Sequence, residues 1–265
     1  MSNAQSVGRW LGRRVARIGR YVALGLVVLL LVAGVSLWLS LRGYASLPRE
    51  ADLAPGVRGL DTGHSAAFVV DVSPGHVLLI DAGGDESGKA LLGELSRRSL
   101  GPEAVDAVLL THGHNDHTAA CGLFPRAELV ALETEVPLLE GRASSHGPLT
   151  RWFSVRQLHV TRAVHDGDVL TYGALEVRVL AVPGHTAGSA AYLARDVLFL
   201  GDSAMQTTEG KLAPAPWVFT DDRAQNLASL RALGERLRSQ NVRVLAMAHS
   251  AALDITGRSY ADLMP

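Results

Sequence analysis

The chain has 265 residues, a formal net charge of −1, 48% hydrophobic residues and 19% charged residues, a balance typical of a globular protein that carries an additional apolar segment. The near-neutral charge lacks the basic excess typical of nucleic-acid-binding proteins, so we expect no nucleic-acid partner. The single cysteine, Cys121, excludes an intramolecular disulfide and the multi-cysteine sites of zinc fingers and iron–sulfur clusters.

The N-terminal segment predicts a membrane anchor. Residues 1–20 are basic, and residues 21–41 form an uncharged apolar run that is long enough to span the roughly 30 Å hydrocarbon core as a transmembrane helix. Clustered arginines stay on the cytoplasmic side. We therefore expect a single-pass protein of the cell membrane, with the rest of the chain in the periplasm or outside the cell.

A cleaved signal peptide is the alternative interpretation of the same segment. The apolar region of a signal peptide is shorter, roughly 7–15 residues, which favours the anchor. Gly43, Tyr44 and Ala45 nevertheless offer a small-residue cleavage site.

The next part of the chain predicts a linker followed by a domain. Residues 42–56 contain prolines and charges and indicate a linker, and residues 57–265 indicate one catalytic domain. Valine-rich runs around a Pro-Gly turn indicate a β-hairpin. The elements predicted here are strands Ala66–Val72 and His76–Ile80, helix Lys89–Arg98, and strands Ala107–Leu110 and Glu128–Ala131.

The second half of the domain predicts more short strands and one long helix. The strands are Gln157–Thr161, Leu170–Tyr172, Leu175–Val182, Ala190–Leu193, Val197–Leu200 and Val242–Met247. Asp222–Arg238 is an amphipathic helix, whose apolar stripe consists of Leu227, Leu230, Leu233 and Leu237. Strands mixed with peripheral helices predict the α/β class, as a sandwich of two sheets with helices outside.

Residues of metal-binding type follow the ends of five predicted strands. They are Asp81, the run His112, His114, Asp116 and His117, and the later residues His185, Asp202 and His249. Strand ends on one sheet edge converge in space, and imidazole and carboxylate groups are preferred ligands of zinc and similar ions. Gly113 is expected to allow a sharp backbone path between its two histidine neighbours. Isolated histidines are interpreted as ordinary core or surface residues: His64, His76, His146, His159 and His165.

At these motifs the sequence resembles the metallo-β-lactamase-fold superfamily, in the branch similar to glyoxalase II and the lactonases. THGHNDH, residues 111–117, matches the HxHxDH signature of that family. LLIDAGG, VPGHTAGS, LFLGDSA and MAHS are similar to its other motifs. The resemblance covers roughly His64 to Ser250 and implies an αββα four-layer sandwich.

The resemblance also implies a two-metal site. Its first ion would have the ligands His112, His114 and His185, its second Asp116, His117 and His249, with Asp202 as the bridge. Asp81 would orient the metal-binding loop from the second shell. Two divalent ions, zinc first with iron and manganese as alternatives, would lower the pKa of a shared water. The resulting hydroxide would attack the substrate, and Asp116 would pass a proton.

Two departures from the family narrow the expected function. No cysteine lies near Asp202, which argues against the β-lactamase subgroups with a cysteine ligand. The chain ends soon after His249, so we expect no helical glutathione-binding domain, which argues against a glutathione thioester. We therefore expect hydrolysis of an ester, lactone, thioester or amide bond in a small-molecule substrate. A single-iron enzyme similar to persulfide dioxygenases, a phosphodiesterase and a non-catalytic tethered binding module are the alternatives. The oligomeric state stays open.

Two irregular segments, Ala143–Phe153 and Met205–Phe219, are predicted as pocket walls. Their aromatic residues are Trp152, Phe153, Trp217 and Phe219. These side chains either form an apolar binding surface or cover the edge of the core. Lys211 is a candidate anchor for an anionic group.

Overall fold

The computed structural model describes residues 2–46, 50–152 and 157–264, with no side-chain placement for residues 2–9, 11–13, 16 and 40. The described residues form two compact units, which divide between Arg42 and Gly43. Phe153, predicted to line the pocket, lies outside the described residues.

The first unit is one helix, α1 (Ser2–Leu41). Within it, Arg17–Leu39 has a mean hydropathy of 2.7 over 23 residues. This stretch is long and apolar enough to cross a bilayer, a criterion that a signal sequence near an N-terminus also meets.

The second unit begins with a seven-stranded mixed sheet. Its strands, in spatial as well as chain order, are β1 (Ala51–Ala54), β2 (Val57–Asp61), β3 (Ala66–Ser73), β4 (His76–Ile80), β5 (Val105–Leu109), β6 (Glu128–Leu132) and β7 (Arg162–Val164). The first four strands pair antiparallel, and β4 to β7 pair parallel. The chain therefore crosses over outside the sheet between β4 and β7, through α2 (Lys89–Arg97), α3 (Asn115–Thr118) and α4 (Val136–Leu139).

The chain then builds a second sheet of six strands. The remaining strands are β8 (Val169–Tyr172), β9 (Leu175–Ala181), β10 (Ala190–Ala194), β11 (Val197–Gly201), β12 (Met205–Gln206), β13 (Leu212–Ala213), β14 (Val244–Met247) and β15 (Leu253–Asp254). The sheet order is β15-β14-β11-β10-β9-β8, while β12 and β13 form a separate pair. Of these pairings, β11 with β14 is parallel, because helix α5 (Arg223–Arg236) lies between those two strands in the chain.

Strand alternation creates three apolar layers. Phe68 and Val70 of β3 point into the cluster between the sheets, whereas Ala67 and Val69 point to the opposite face, as the two-residue period of a strand requires. Leucines of α2 pack on that outer face of the first sheet, and leucines of α5 pack on the outer face of the second. The arrangement is the predicted αββα sandwich.

Two predicted segments are wrong. The predicted linker, residues 42–56, contains strand β1, whose charges are explained by pairing: Arg58 of β2 bonds Asp52 at 3.0 Å and Glu50 at 3.1 Å. Gln157–Thr161 precedes its strand instead of forming one, because the amide of Leu158 donates to the carbonyl of Leu139, the last residue of α4. Strand β2 was not predicted at all.

Helix α5 matches its prediction closely. Asp222 caps it, since its carboxylate accepts a hydrogen bond from the Gln225 amide at 2.9 Å, a standard N-cap contact. Leu230, Leu233 and Leu237 are buried, so the predicted stripe faces the sheet.

Candidate metal centre

Eight predicted site residues lie at the C-terminal ends of strands. Asp81 directly follows β4, and the run from His112 to His117 follows β5, its parallel neighbour. In the second sheet His185, Asp202 and His249 follow β9, β11 and β14, three strands that run in the same direction. In each sheet these loops follow strands that run in the same direction, so they lie at the same edge. The structure therefore brings together residues more than 100 positions apart in the chain.

The first group consists of His112, His114 and His185, whose ring nitrogens lie within 4.8 Å of one another. Nδ1 of His114 is 3.0 Å from Nε2 of His112 and 3.1 Å from Nε2 of His185. A single nitrogen with one hydrogen or one lone pair cannot satisfy two neighbours of this kind. Three converging imidazoles are instead the arrangement in which a cation accepts all three lone pairs.

The second group contains the remaining members of the cluster. Nε2 of His249 lies 3.1 Å from Asp116 Oδ2 and 3.1 Å from Asp202 Oδ2. Nε2 of His117 lies 3.2 Å from Asp202 Oδ1. Asp202 also approaches the first group, with its Oδ2 3.6 Å from Nε2 of His185. The carboxylate of Asp202 therefore faces both groups.

Two buried atoms of this cluster have unmet bonding capacity. His117 Nε2 and Asp202 Oδ1 lie 3.2 Å apart without the geometry of a hydrogen bond, and neither atom has another hydrogen-bond partner among the described residues, although buried polar atoms are nearly always satisfied. Both residues also lie within 4.8 Å of His112, measured between possible ligand atoms. This donor set of imidazoles and carboxylates fits one or more divalent ions.

The two groups differ in their protonation. Burial lowers the pKa of His112 and His114, and it lowers the pKa of His185 to about 3. Burial would also lower the pKa of His249, but Asp202 and Asp116 raise it to about 10. Asp202 and Asp81 likewise raise the pKa of His117 well above its ordinary value, against the effect of burial.

This difference predicts a pH dependence that separates the groups. Near pH 7 the first group is neutral and binds an ion without losing protons, whereas His117 and His249 must each lose one. Lowering the pH from 8 to 6 should leave the affinity of the first group almost unchanged. The affinity of the second should fall about tenfold per pH unit for each proton displaced.

Calorimetric titration of the metal-free chain with Zn²⁺, in buffers of different ionisation enthalpy, counts the protons released with each ion. We expect about none for one ion and about two for the other. Equal proton release with both ions would contradict the assignment.

Asp81 holds two segments of the cluster through hydrogen bonds. It is fully buried and accepts three hydrogen bonds: from the Thr111 amide at 2.7 Å, the Thr111 hydroxyl at 2.7 Å and Nδ1 of His117 at 2.8 Å. Its φ of 60° lies in the left-handed region, which Asp adopts more readily than most residues. The contacts fix the ring of His117 so that Nε2 faces the cluster.

Three further polar residues adjoin the cluster, and the sequence analysis missed all of them. Glu135 hydrogen-bonds the backbone of Gly113, between two histidines of the first group. The Ser145 hydroxyl lies 3.4 Å from Nε2 of His114 and donates to Asp221 at 2.6 Å. In the sequence, Glu135, Ser145 and Asp221 are single polar residues in ordinary turns. No spacing rule distinguishes them from other polar residues.

Gly113 plays a different part from the one predicted. Its φ is not among the positive values of the chain, so it does not provide a left-handed turn. A Cβ at this position would instead lie 3.2 Å from the Leu138 side chain and 3.3 Å from Oε1 of Glu135. The glycine therefore permits a close approach of the loop His112–His117 to α4 and the residue before it.

The predicted pocket walls adjoin each other. The amide of Leu149 donates to the carbonyl of Val218 at 2.9 Å. Trp152 is 79% exposed and Trp217 is 46% exposed, so both offer apolar surface to solvent, while Phe219 is half-buried. The ammonium of Lys211 donates to the backbone carbonyl of Asp262 at 2.7 Å, a contact that does not support its predicted role as an anion anchor.

Comparisons with known proteins agree with this fold. The family model of the Metallo-beta-lactamase superfamily matches residues 60–249. The hydroxyacylglutathione hydrolase of Aeromonas hydrophila is 34% identical over 162 residues, which are 60% of this chain and 52% of that protein. Its counterpart in Shewanella baltica strain OS185 is 37% identical over 130 residues, or 48% and 42%. The chain spans about half the length of these relatives.

Solved structures share the fold at lower identity. The subclass B3 metallo-β-lactamase BJP-1 of Bradyrhizobium japonicum superposes with a TM-score of 0.58 and 22% identity, over 79% of this chain and 81% of that one. A B3 metallo-β-lactamase with an active-site glutamic acid gives a TM-score of 0.61 and 20% identity, over 86% and 91%. The family match covers well over half of the sequence and includes every residue of the cluster, so the chain belongs to the metallo-β-lactamase superfamily.

Proposed function

We propose that the chain is a metal-dependent hydrolase that uses two divalent ions, most readily zinc, on an ester, lactone, thioester or amide bond. The observation that carries the proposal is the cluster itself. Seven buried or half-buried ligand side chains converge in the two groups, and His112 of the first group also lies within 4.8 Å of His117 and Asp202 of the second. Neither His117 Nε2 nor Asp202 Oδ1 has a hydrogen-bond partner among the described residues. Asp202 would bridge the two ions, since it faces both groups.

The chain's own residues would bind the metal ions and orient the ligand side chains. When bound, two divalent ions would supply a water of lowered pKa and polarise the substrate oxygen. Burial would raise the pKa of Asp116, but His117 and His249 outweigh it and lower the pKa to about 2. Asp116 is therefore ionised near neutral pH, as a metal ligand must be, and its proposed part in passing a proton rests on its position 3.1 Å from His249 in the second group. Asp81 holds His117 in one orientation, a role typical of carboxylates behind metal-bound histidines.

Exposed side chains on the two predicted pocket walls support a substrate with an apolar group. Leu149, Trp152 and Trp217 are three of the four large hydrophobic side chains exposed in the described part of the second unit, and they lie on the two adjoining wall loops. Such side chains suit the apolar part of a small molecule, whose polar bond then points to the metal ligands.

The proposal is tested by a substrate panel on the full-length chain in detergent. We expect zinc-loaded protein to turn over one class among chromogenic esters, lactones, thioesters and β-lactams. His114→Ala should lower that turnover at least about 100-fold, whereas the surface variant His76→Ala should not. Metal analysis below one ion per chain, without rescue by added zinc, would overturn the proposal. Turnover of phosphodiesters alone, or oxygen uptake with persulfide in iron-loaded protein, would assign the site to another reaction.

We further propose that α1 anchors the enzyme in the cell membrane and is retained, with the second unit outside the cytoplasm. The basic residues before the apolar stretch favour this orientation. The segment after the helix supports retention, because it is bonded into the second unit. Ala45 donates to the Gln206 carbonyl at 2.8 Å, Thr208 to Gly43 at 2.9 Å, and the Tyr44 hydroxyl to Pro214 at 2.9 Å. Cleavage after Ala45 would remove these contacts.

Carbonate extraction of membranes, combined with the mass of the mature chain, tests the anchor. We expect a chain of full-length mass that stays in the membrane pellet at alkaline pH. A shortened chain released into the soluble fraction would show that the segment is a signal peptide.

A further inference from the structure

Glu135 is a buried carboxylate for which the proposed reaction gives no role. It is 1% exposed and ends the short turn Glu133–Glu135, between β6 and α4. Its Oε1 accepts a hydrogen bond from the Gly113 amide at 2.7 Å. Its Oε2 accepts from the Thr186 hydroxyl at 2.9 Å and the Gly188 amide at 2.8 Å.

These donors come from two loops on different sheets. Gly113 lies between His112 and His114, in the loop after β5 of the first sheet, and Thr186 directly follows His185, in the loop after β9 of the second. One carboxylate thus joins the two segments that carry all three residues of the first group. Each oxygen accepts from a different segment, so the side chain links a loop of the first sheet to a loop of the second.

The backbone of Gly188 closely approaches the backbone of Glu135. A Cβ on Gly188 would lie 2.2 Å from the Glu135 nitrogen and 2.5 Å from its Cα, so only a glycine admits this approach. Burial raises the pKa of Glu135 to about 7, although its three hydrogen bonds act in the opposite direction. A buried carboxylate is costly unless it is fully hydrogen-bonded, and here the donors are supplied by metal-binding loops.

We propose that Glu135 is a positioning residue for the first metal ion, whose carboxylate holds the segment of His112 and His114 against the loop of His185 so that the three imidazoles converge. This inference rests on the proposed metal site. Glutamine at this position presents one oxygen and one NH₂ group. The NH₂ group then faces a donor on one of the two loops, and that loop loses its acceptor.

The test measures zinc affinity, by competition with a chromogenic chelator, in full-length chains with one group disabled. In a His249→Ala background, which keeps the first group, Glu135→Gln should weaken zinc binding about 10- to 100-fold. In a His117→Ala, Asp116→Ala background, which also keeps only the first group, the same loss is expected. In a His114→Ala background, which keeps the second group, Glu135→Gln should leave affinity unchanged.

Glu94→Gln is the matched control, because Glu94 is also a buried glutamate, 4% exposed, but its partners are Arg58, Arg97 and Arg98. We expect it to change thermal stability without changing zinc affinity. If Glu135→Gln does not fold, Thr186→Val removes a single donor to the same carboxylate, and a smaller loss confined to the first group is expected. Unchanged affinity in the His249→Ala background, or an equal loss in the His114→Ala background, would overturn the inference. Absence of zinc binding in every chain, wild type included, would instead overturn the proposed function.

Discussion

Asp202→Asn is expected to remove at least one of the two ions and to lower kcat/KM more than about 100-fold. Asp202 is the carboxylate that faces both groups, with its Oδ2 3.6 Å from His185 of the first group and 3.1 Å from His249 of the second. Burial would raise its pKa, but His249 and His117 hold it well below the ordinary value, so Asp202 contributes a full negative charge. Asparagine keeps the size of the side chain and loses that charge.

The measurement is elemental analysis of the purified chain together with kcat/KM on the best substrate of the panel. Asp166→Asn is a suitable control, since Asp166 is an exposed carboxylate that bonds Arg236 at 2.6 Å. We expect this control to keep both ions and wild-type kcat/KM. Two ions per chain and undiminished kcat/KM in Asp202→Asn would exclude Asp202 as a bridge.

The sequence singles out the candidate ligands because their positions obey two simple rules. Each follows an apolar run, and the ends of strands that run in one direction meet at one edge of a sheet. The run His112 to His117 also contains four potential metal ligands in six residues, so it indicates a metal site even without the residues later in the chain. The structure places His185, Asp202 and His249 beside that run, although nothing in their local sequence exceeds a common turn.

The features that the sequence could not predict depend on tertiary contacts. Glu135 lies in the run Glu-Thr-Glu, which resembles an exposed helix start, and its burial follows from packing between two loops. Strand β1 has four residues and a partly exposed pattern, so its identity depends on pairing with β2 and not on its own composition. Gln157–Thr161 is apolar enough for a strand, but its backbone bonds to α4 and β6.

Asp81→Asn is the second change with a large expected effect, and it acts through His117. Asp81 fixes the hydrogen of that ring on Nδ1, at 2.8 Å, which leaves Nε2 free to face Asp202 and a metal ion. The NH₂ group of asparagine donates instead of accepting, so it favours the tautomer with hydrogen on Nε2. Zinc affinity of the second group should fall about 10- to 100-fold, and the first group should keep its ion.

Comparison with Asp81→Ala separates this effect from simple loss of stability. Alanine leaves three buried donors without an acceptor and must adopt the left-handed φ of 60°, so we expect about 3–5 kcal/mol of destabilisation. Asparagine tolerates that φ and should unfold at a temperature closer to wild type. Asp106→Asn changes the exposed Asp106–His76 pair, which has the same 2.8 Å contact, and should affect neither quantity. If Asp81→Asn binds both ions with wild-type affinity, the orientation of His117 does not depend on this carboxylate, and the proposed role of Asp81 is wrong.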